Sequence, residues 1–295
     1  MIAYWFFLIF IQLFRWIPFP VLYIISDGLR WILQHVVKYR LSVIHKNLNA
    51  SFPNVSADIK KQWIKGIYLN LTDIMLESIK GLSMTKDEIL KRSLFLNTDF
   101  VKTLLASKQS VIATAGHYGN WEWGIFGFGY NFPNQSIGIY KKVNNVRIND
   151  YLNKLRSKGS IMLIPTSETR LIKEEIPKGK LIIMMSDQNP SNIKDAIWVH
   201  FLNQDTACVH GMEKYALNHQ LPIVFVDIQR VKRGYYELTF SPLIEDPSQH
   251  KPGEITQIYM SRLETIIRTN PPNWLWTHKR WKHQKRKVNY KFELF

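Results

Sequence analysis

Residues 111–130, VIATAGHYGNWEWGIFGFGY, hold an apolar run, a polar turn and an aromatic run in direct succession. This order predicts a strand that ends just before His117, a tight turn, and a helix that starts after Asn120. Asn120 is expected to cap the helix, because its side chain can accept a backbone N–H that the first turn leaves without a partner. Glu122 then falls in the first helical turn, where the helix dipole favours a carboxylate.

His117 and Glu122 can meet across the turn in this arrangement. The carboxylate would hold one imidazole nitrogen, and the other nitrogen would take a proton from a hydroxyl. Gly119 would let the backbone come close to a substrate, and Trp121 would supply an apolar wall beside the polar centre. A histidine beside a carboxylate also occurs as a purely structural hydrogen bond, and the spacing alone leaves both interpretations open.

The block Gly-His-Tyr-Gly-Asn-Trp-Glu, residues 116–122, resembles the signature of the late acyltransferases of lipid A biosynthesis, the lauroyl and myristoyl transferases of bacterial inner membranes. That family belongs to a wider group of glycerolipid acyltransferases that share a histidine followed by an acid. The resemblance implies that His117 is the general base for a lipid hydroxyl and that Glu122 orients it. It also implies that Arg156, a basic residue ahead of a glycine and the next strand, stabilises an oxyanion.

Short apolar runs separated by turns and helical stretches characterise the chain from residue 109 onward. The predicted strands are residues 111–115, 136–140, 161–164, 181–186, 223–228 and 236–241. This pattern predicts an α/β fold with a mixed, mostly parallel sheet flanked by helices, which agrees with the glycerolipid-acyltransferase resemblance. Several runs are apolar throughout, so those strands are expected to be buried on both faces. Helices are predicted before the sheet at residues 26–51, 58–80 and 85–94, with charged faces in solvent.

Polar residues follow the ends of several predicted strands. His117, Lys141 and Asp187 each occupy such a position, and ligands of open α/β sheets bind outside the carboxyl ends of the strands. Lys141 and Arg147 are therefore predicted to bind substrate phosphates. Gly119, Asn120 and Trp121 are predicted to bind substrate at the turn. Each basic residue taken alone fits a solvated surface equally well. Asp187 is predicted either as a second acid near His117 or as a turn residue that caps its own backbone, and both roles remain open.

The amino-terminal run, residues 2–14, is apolar apart from one glutamine. As a helix it would be roughly 20 Å long, shorter than the roughly 30 Å hydrocarbon core of a bilayer. We expect a membrane-anchor helix, either held in one leaflet or tilted across the bilayer, with a buried core helix as the alternative. No basic residue precedes the run and no small-residue cleavage site follows it, which argues against a secretory signal. Basic residues after it predict that the rest of the chain is cytoplasmic.

The predicted organisation is a membrane anchor at residues 1–25 followed by an acyltransferase domain at residues 26–295. That domain would contain a helical lead-in at residues 26–108, the sheet-containing core at residues 109–270 and a basic aromatic tail at residues 271–295. The tail resembles the terminal Asn-Pro and Trp-rich block of the family, and its Trp rings are predicted to lie at headgroup depth.

The chain is strongly basic, with 39 Lys and Arg against 23 Asp and Glu and a net charge of +16. Such a surface attracts nucleic acid, anionic lipid or an acidic carrier protein. The apolar amino terminus has no use in a soluble nucleic-acid binder, so lipid is favoured and no nucleic-acid partner is expected. Cys208 is the single cysteine, which excludes an intramolecular disulfide and a multi-thiol zinc site.

The sequence therefore predicts an O-acyltransferase at the cytoplasmic face of the bacterial inner membrane, without metal or cofactor. It would move a fatty acyl chain from acyl carrier protein, or from acyl-CoA, to a hydroxyl of a lipid A precursor. Arg156 or a backbone N–H near Gly119 would stabilise the oxyanion, and no acyl-enzyme is required because no Gly-x-Ser-x-Gly elbow occurs. The alternatives are an acyltransferase for a glycerol or amino-acid-linked lipid, and an inactive lipid-binding protein on the same fold.

Overall fold

The computed structural model describes residues 2–157 and 159–285, so residues 286–295 of the predicted tail lie outside the described residues. Helices occupy most of the chain before residue 110. They are α1 Ile2–Trp16, α2 Phe19–Trp31, a π-helical turn Ile32–Val36, α3 Leu41–Ser51, α4 Ala57–Gly81, α5 Lys86–Arg92 and α6 Asp99–Ala106. The single helix predicted over residues 26–51 is wrong, because Lys38 and Arg40 both have left-handed backbone with φ of 52° and separate α2 from α3.

Strands and helices alternate through the rest of the chain. The strands are β1 Ser93–Leu96, β2 Val111–Thr114, β3 Ser136–Tyr140, β4 Met162–Pro165, β5 Leu181–Ile183, β6 Ile197–Phe201, β7 Gln204–Cys208, β8 Ile223–Lys232 and β9 Tyr235–Ile244. The remaining helices are α7 Trp121–Asn131, α8 Val146–Arg156, α9 Arg170–Glu175, α10 Gly211–His219 and α11 Glu254–Thr269, with short 3-10 turns at Thr166–Glu168, Ile176–Lys178, Ile193–Asp195, Pro247–Gln249 and Pro271–Asn273.

Seven strands form one sheet in the order β1-β9-β8-β2-β5-β3-β4. Every neighbouring pair is parallel except the β8–β9 hairpin, which confirms the predicted mixed, mostly parallel sheet. The strand β1 was not predicted, because the helical pattern at residues 85–94 runs into it without a clear boundary. The apolar segment from Ile197 forms β6 of a separate β6–β7 hairpin, and Phe201 in it is fully buried.

Both faces of the sheet are covered, as the continuous apolar runs predict. Successive residues of β2 enter two different cores: Ile112 packs in a cluster that includes residues of α3, α10 and α11. Val111 and Ala113 pack in a second cluster with residues of α6 and α7. Because side chains alternate across a strand, this pattern requires helices on both faces of the sheet. Packing against these helices fixes the end of β2 between them.

The first two helices present apolar side chains to solvent. Trp5, Phe6, Ile9 and Leu13 of α1 are all more than half exposed, and Ile24 of α2 is 71% exposed. No single helix among the described residues is both long and apolar enough to cross a bilayer; helices Tyr4–Trp16 and Phe19–Val36, which meet at 119°, reach the required length and composition only as a bent pair. The membrane anchor therefore stays a prediction.

The bend between α1 and α2 is held by Lys80 of α4. Its Nζ donates to the carbonyl oxygens of Arg15 at 2.7 Å and Ile17 at 2.8 Å, which are among the groups that the end of α1 leaves without helical partners. Burial lowers the pKa of Lys80, as expected for an ammonium group taken out of water. The amino-terminal helices are thus fixed to α4, which also supports the candidate site.

Candidate active site

The turn between β2 and α7 has the predicted strand, turn and helix. The side chain of Asn120 accepts the backbone N–H of Trp123 at 3.0 Å, which confirms it as the cap of α7. Gly119 has φ of +60°, and a Cβ at this position would lie 2.9 Å from the carbonyl oxygen of Ile228. Only glycine fits this turn without strain, so the residue is required for the backbone path that carries His117.

His117 is held by Asp187, which follows the end of β5. Its Nδ1 lies 2.6 Å from Oδ1 of Asp187, and Oδ2 accepts the backbone N–H of His117 at 2.8 Å. The indole N–H of Trp274 donates to the same Oδ2 at 3.0 Å. The Asp187 side chain is 1% exposed, so both of its oxygens are buried and hydrogen-bonded. Three hydrogen bonds thus hold the carboxylate, and one of them orients the His117 ring.

The predicted hydrogen bond between Glu122 and His117 is corrected by this geometry. Glu122 instead accepts from Nη2 of Arg156 at 3.3 Å. The reason is topological: β2 and β5 are parallel neighbours, so the residue beyond the end of β5 meets the ring directly, whereas Glu122 starts a helix that leads away. Of the two roles left open for Asp187, the structure shows that of an acid beside His117.

The charges around the ring determine which nitrogen holds the proton. Burial lowers the pKa of His117, but the charge and hydrogen bond of Asp187, together with the charge of Glu122, raise it above the ordinary 6.5. Burial raises the pKa of Asp187, yet the charge of His117 and the hydrogen bonds from His117 and Trp274 lower it to about 2. Asp187 is therefore a carboxylate near neutral pH. It favours a proton on Nδ1, which leaves the Nε2 lone pair of the neutral ring for chemistry.

Nε2 of His117 points toward Gln188. The amide nitrogen of Gln188 lies 3.0 Å from it. The backbone of the next residue, Asn189, donates to Nε2 of His278 at 3.2 Å. Burial lowers the pKa of His278 to about 4, so this ring is neutral and able to accept. The segment after β5 is thus held by two histidine rings, His117 at Gln188 and His278 at Asn189.

The carboxyl-terminal segment holds the same turn. Leu275 donates its N–H to the carbonyl of His117 at 3.1 Å, and the N–H of Gly119 donates to the carbonyl of Asn273 at 3.0 Å. The N–H of Gly119 itself is therefore already used, and the predicted oxyanion donor near Gly119 would have to be the N–H of another residue. Trp274 and Trp276 are fully buried, so the prediction that these rings lie at headgroup depth is wrong. They are needed inside, where Trp274 binds the carboxylate that orients His117.

Glu77 of α4 is a buried group that sequence reasoning missed. Its side chain accepts from Nδ2 of Asn120 at 2.7 Å and from the hydroxyls of Tyr236 at 2.7 Å and Tyr23 at 2.9 Å. The charged face of this helix was predicted to be solvated, but Asp73 and Glu77 are both completely buried. Asp73 and Glu77 are four residues apart and fall on the same helix face as the apolar stripe, and this spacing could have predicted their burial. Through Asn120, Glu77 fixes the start of α7.

An apolar groove of about 460 Å³ lies on one side of the site. The edge of Trp121, whose ring centre is 5.1 Å from that of His117, forms the wall between the two. The groove is lined chiefly by apolar residues of α1, α4 and the carboxyl-terminal segment, among them Phe7, Phe10, Ile67, Ile74, Ile79 and Leu275. Glu122 and Arg156 provide its charged lining. This shape and composition suit an extended hydrocarbon chain.

A second cavity of about 710 Å³ reaches His117 directly. We call it the basic cavity, defined by His117, Gln188 and the lysines Lys141, Lys173 and Lys214 that line it. It lies beyond the carboxyl ends of β3, β4 and β5, the edge where ligands of open α/β sheets bind. Lys141 is thus placed as predicted for a residue beside the site.

The other predicted binding residues are distributed differently. Arg147 is exposed on α8 and does not line either of these two cavities. Asn120 is fully buried with both polar side-chain atoms bonded, so it positions α7 and does not face substrate. Trp121 and Arg156 line the apolar groove. The structure therefore brings His117, Asp187, Trp121 and Lys141 together and leaves Asn120 and Arg147 outside both cavities.

Known proteins resemble this chain over most of its length. The family model described as bacterial lipid A biosynthesis acyltransferase matches residues 1–283. The chain belongs to this family. The lipid A biosynthesis lauroyltransferase of Escherichia coli K12 is 21% identical over 272 residues, covering 90% of this chain and 87% of that protein. The palmitoleoyltransferase of the same organism is 22% identical over 281 residues, covering 94% and 90%.

A third relative extends the comparison beyond one genus. The lipid A biosynthesis acyltransferase of Haemophilus influenzae is 20% identical over 280 residues, covering 92% of this chain and 85% of that protein. The match runs over nearly the whole of each chain, so the amino-terminal helices and the carboxyl-terminal segment are included. As a member of the lipid A acyltransferase family, the protein is an acyltransferase.

Proposed function

We propose that this acyltransferase moves a fatty acyl chain from a thioester donor to a hydroxyl of a lipid A precursor, with His117 as general base. The observation that carries the proposal is the 2.6 Å contact between Nδ1 of His117 and the buried Asp187, with Nε2 directed into a cavity. A positioned base of this kind contributes roughly 10²- to 10⁴-fold to a rate. Asp187 is the residue that orients it, and Glu122 acts on the ring through its charge.

The acceptor hydroxyl would replace the amide of Gln188 at Nε2 of His117. As its oxygen attacks the thioester carbonyl carbon, its proton moves to Nε2. The tetrahedral intermediate then expels the thiol sulfur, which takes the proton back from the imidazolium, so the ring ends neutral. No covalent enzyme intermediate is involved. Cys208 is fully buried against Arg280, and burial raises the pKa of its thiol, so it is not a candidate nucleophile.

Arg156 is our candidate for stabilising the oxyanion. Its guanidinium has five N–H donors, and the bond to Glu122 uses one of them. The pair lines the apolar groove beside Trp121, where the carbonyl of an acyl chain lying in the groove would come close to His117. Glu122 would keep the guanidinium in place. Both residues thus retain a function in the proposed site, with Glu122 bonded to Arg156 and not to the base His117.

The exposed apolar side chains of α1 and α2 support an association with the membrane surface. Rings such as Trp5 and Trp16, which is 79% exposed, are costly to leave in water and are typical of helices lying in a lipid interface. The apolar groove is lined by Phe7 and Phe10 of the same helix, so an acyl chain can pass between groove and lipid. We place the protein at the cytoplasmic face of the inner membrane, where its charge of +16 also suits an acidic acyl carrier protein as donor.

The test is transfer activity of purified His117→Ala, measured by mass spectrometry with acyl carrier protein as donor and a lipid A precursor as acceptor. We expect a folded protein that sediments with anionic vesicles like the wild type but transfers roughly 10²- to 10⁴-fold more slowly. Near wild-type transfer by this variant would overturn the mechanism. Lipid profiles of a deletion strain identify the acceptor, since loss of a glycerol or amino-acid-linked lipid would redirect the substrate assignment.

A further inference from the structure

Three lysines without a counter-charge line the basic cavity. Lys141 follows β3, Lys173 lies on α9 and Lys214 on α10, so three separate elements bring positive charge to one space. Within the described part of the chain, none of the three forms an ion pair or a side-chain hydrogen bond, and no Asp or Glu lines the cavity. Converging cations without a partner are the composition of an anion-binding site.

The neighbouring lysine shows the contrast. Lys142 is also exposed, but its Nζ donates to Glu168 at 2.7 Å, so its charge is already balanced within the fold. Lys141 and Lys142 are adjacent in sequence and directly follow β3. One enters the basic cavity and the other pairs on the surface. The absence of a partner for Lys141 is thus a local property of the cavity and not of the segment as a whole.

Further donors line the same space. Thr166 contributes a hydroxyl and Asn218 an amide, and the nine-residue helix α10 starts at Gly211, where backbone N–H groups remain without helical partners. His117 and Gln188 form the opposite wall. A substrate that binds the lysines through one of its groups would consequently have other atoms close to Nε2 of His117. The apolar groove, on the other side of Trp121, is the separate place for hydrocarbon.

We propose that the basic cavity binds the phosphate ester of one substrate and so seats the polar end of that substrate against His117. The inference rests on the proposed function, because it names the part of a substrate that this site takes. Two sources supply the same chemistry: a sugar phosphate of the acceptor lipid, and the phosphopantetheine arm of the donor. Phosphate esters are matched by several Lys side chains acting as point charges together with helix N–H donors.

Binding is measured directly by ³¹P line broadening, with 4′-phosphopantetheine and glucosamine 1-phosphate as soluble probes for the two sources. The test protein is the full chain carrying Lys141→Gln, Lys173→Gln and Lys214→Gln together, and each single variant is measured beside it. Lys142→Gln is the matched control, since it removes the same charge one residue away from the cavity. We expect wild type and Lys142→Gln to broaden one probe, and the triple variant to bind it roughly 10- to 100-fold more weakly.

The probe that is broadened identifies the source, and steady-state kinetics verify it. The triple variant should raise KM for the substrate bearing that phosphate by a similar factor with kcat little changed, because binding is lost and the base is intact. If neither probe distinguishes wild type from the triple variant, or if Lys142→Gln has the same effect, the proposal is overturned. Asp187→Asn, whose side chain does not line the cavity, should bind the probe normally, so failure of the catalytic mechanism is distinguished from failure of this site.

Discussion

Replacing Asp187 with asparagine should leave the fold intact and remove the general base. The carboxylate accepts at both oxygens: Oδ1 from Nδ1 of His117, and Oδ2 from the His117 backbone and the Trp274 indole. An asparagine has one accepting oxygen and one donating NH₂ group. If its oxygen takes the place of Oδ2, two donors remain satisfied and the NH₂ faces Nδ1. The opposite orientation sets the NH₂ against two buried N–H groups, which costs about 1–3 kcal/mol.

The favoured orientation puts the proton on the wrong nitrogen of His117. Nδ1 must then accept from the asparagine, so the neutral ring carries its proton on Nε2 and cannot take another from the acceptor hydroxyl. Loss of a positioned base of this kind corresponds to roughly 10²- to 10⁴-fold in kcat, or about 3–5 kcal/mol of barrier. The lowered pKa of Asp187, about 2 against 3.8, corresponds to about 2 kcal/mol of folding stability. A domain of ordinary stability survives that loss.

The assay is the pH dependence of kcat/KM for acyl transfer, with unfolding by urea as the control for stability. In the wild type the base must be neutral, so activity should rise with pH through a pKa above 6.5. In Asp187→Asn the acid limb should move to lower pH because the carboxylate no longer raises the pKa of His117, while the plateau falls by the factor above.

Glu122→Gln is the matched comparison for this prediction. It removes a charge that also raises the pKa of His117, so its acid limb should move slightly in the same direction. Its plateau should stay within about tenfold of wild type, because the hydrogen bond at Nδ1 remains. A folded Asp187→Asn enzyme with a wild-type plateau, or Glu122→Gln losing as much activity as Asp187→Asn, would refute the assignment of Asp187.

The stability that Asp187 supplies should be lost in acid, because folding lowers the pKa of its carboxyl group. The difference in unfolding free energy between wild type and Asp187→Asn should have its full value above about pH 4 and should decrease as the pH falls toward 2. Trp274→Phe puts a smaller aromatic ring in a fully buried position and removes one donor to that carboxylate; it should lower stability by about 1–3 kcal/mol and reduce kcat more than KM is altered, and an unchanged rate would exclude a positioning effect. Glu77→Gln can keep an accepting oxygen toward Asn120 and Tyr236, but it turns an NH₂ group toward the hydroxyl of Tyr23 and removes the charge that accepts all three bonds; it should cost about 1–3 kcal/mol in urea unfolding, whereas a neutral effect would show that the cluster tolerates rearrangement. Trp16→Glu changes a side chain that is 79% exposed, so vesicle sedimentation should fall while stability stays within about 0.5 kcal/mol; unaltered sedimentation would count against the proposed membrane face.

Local sequence was sufficient for the elements that carry the site. The turn after β2 and the cap at Asn120 depend on contacts within a few residues, and both were predicted. The mixed, mostly parallel sheet followed from apolar runs separated by helices. The long helix expected over residues 26–51 failed because its apolar spacing continues through Lys38 and Arg40, whose left-handed backbone carries no signal in residue type.

Which side chains meet inside the site was a matter for the tertiary structure. The amino-acid sequence by itself determined that His117 ends a strand and faces an edge where ligands bind, because strand, turn and cap are local. Only the fold decided that Asp187, 70 residues away, and Trp274, still further along, reach its ring, since the order of parallel strands and the path of the carboxyl-terminal segment set those distances. Burial then strengthened the hydrogen bond between Asp187 and His117, because charge interactions and hydrogen bonds are stronger away from water.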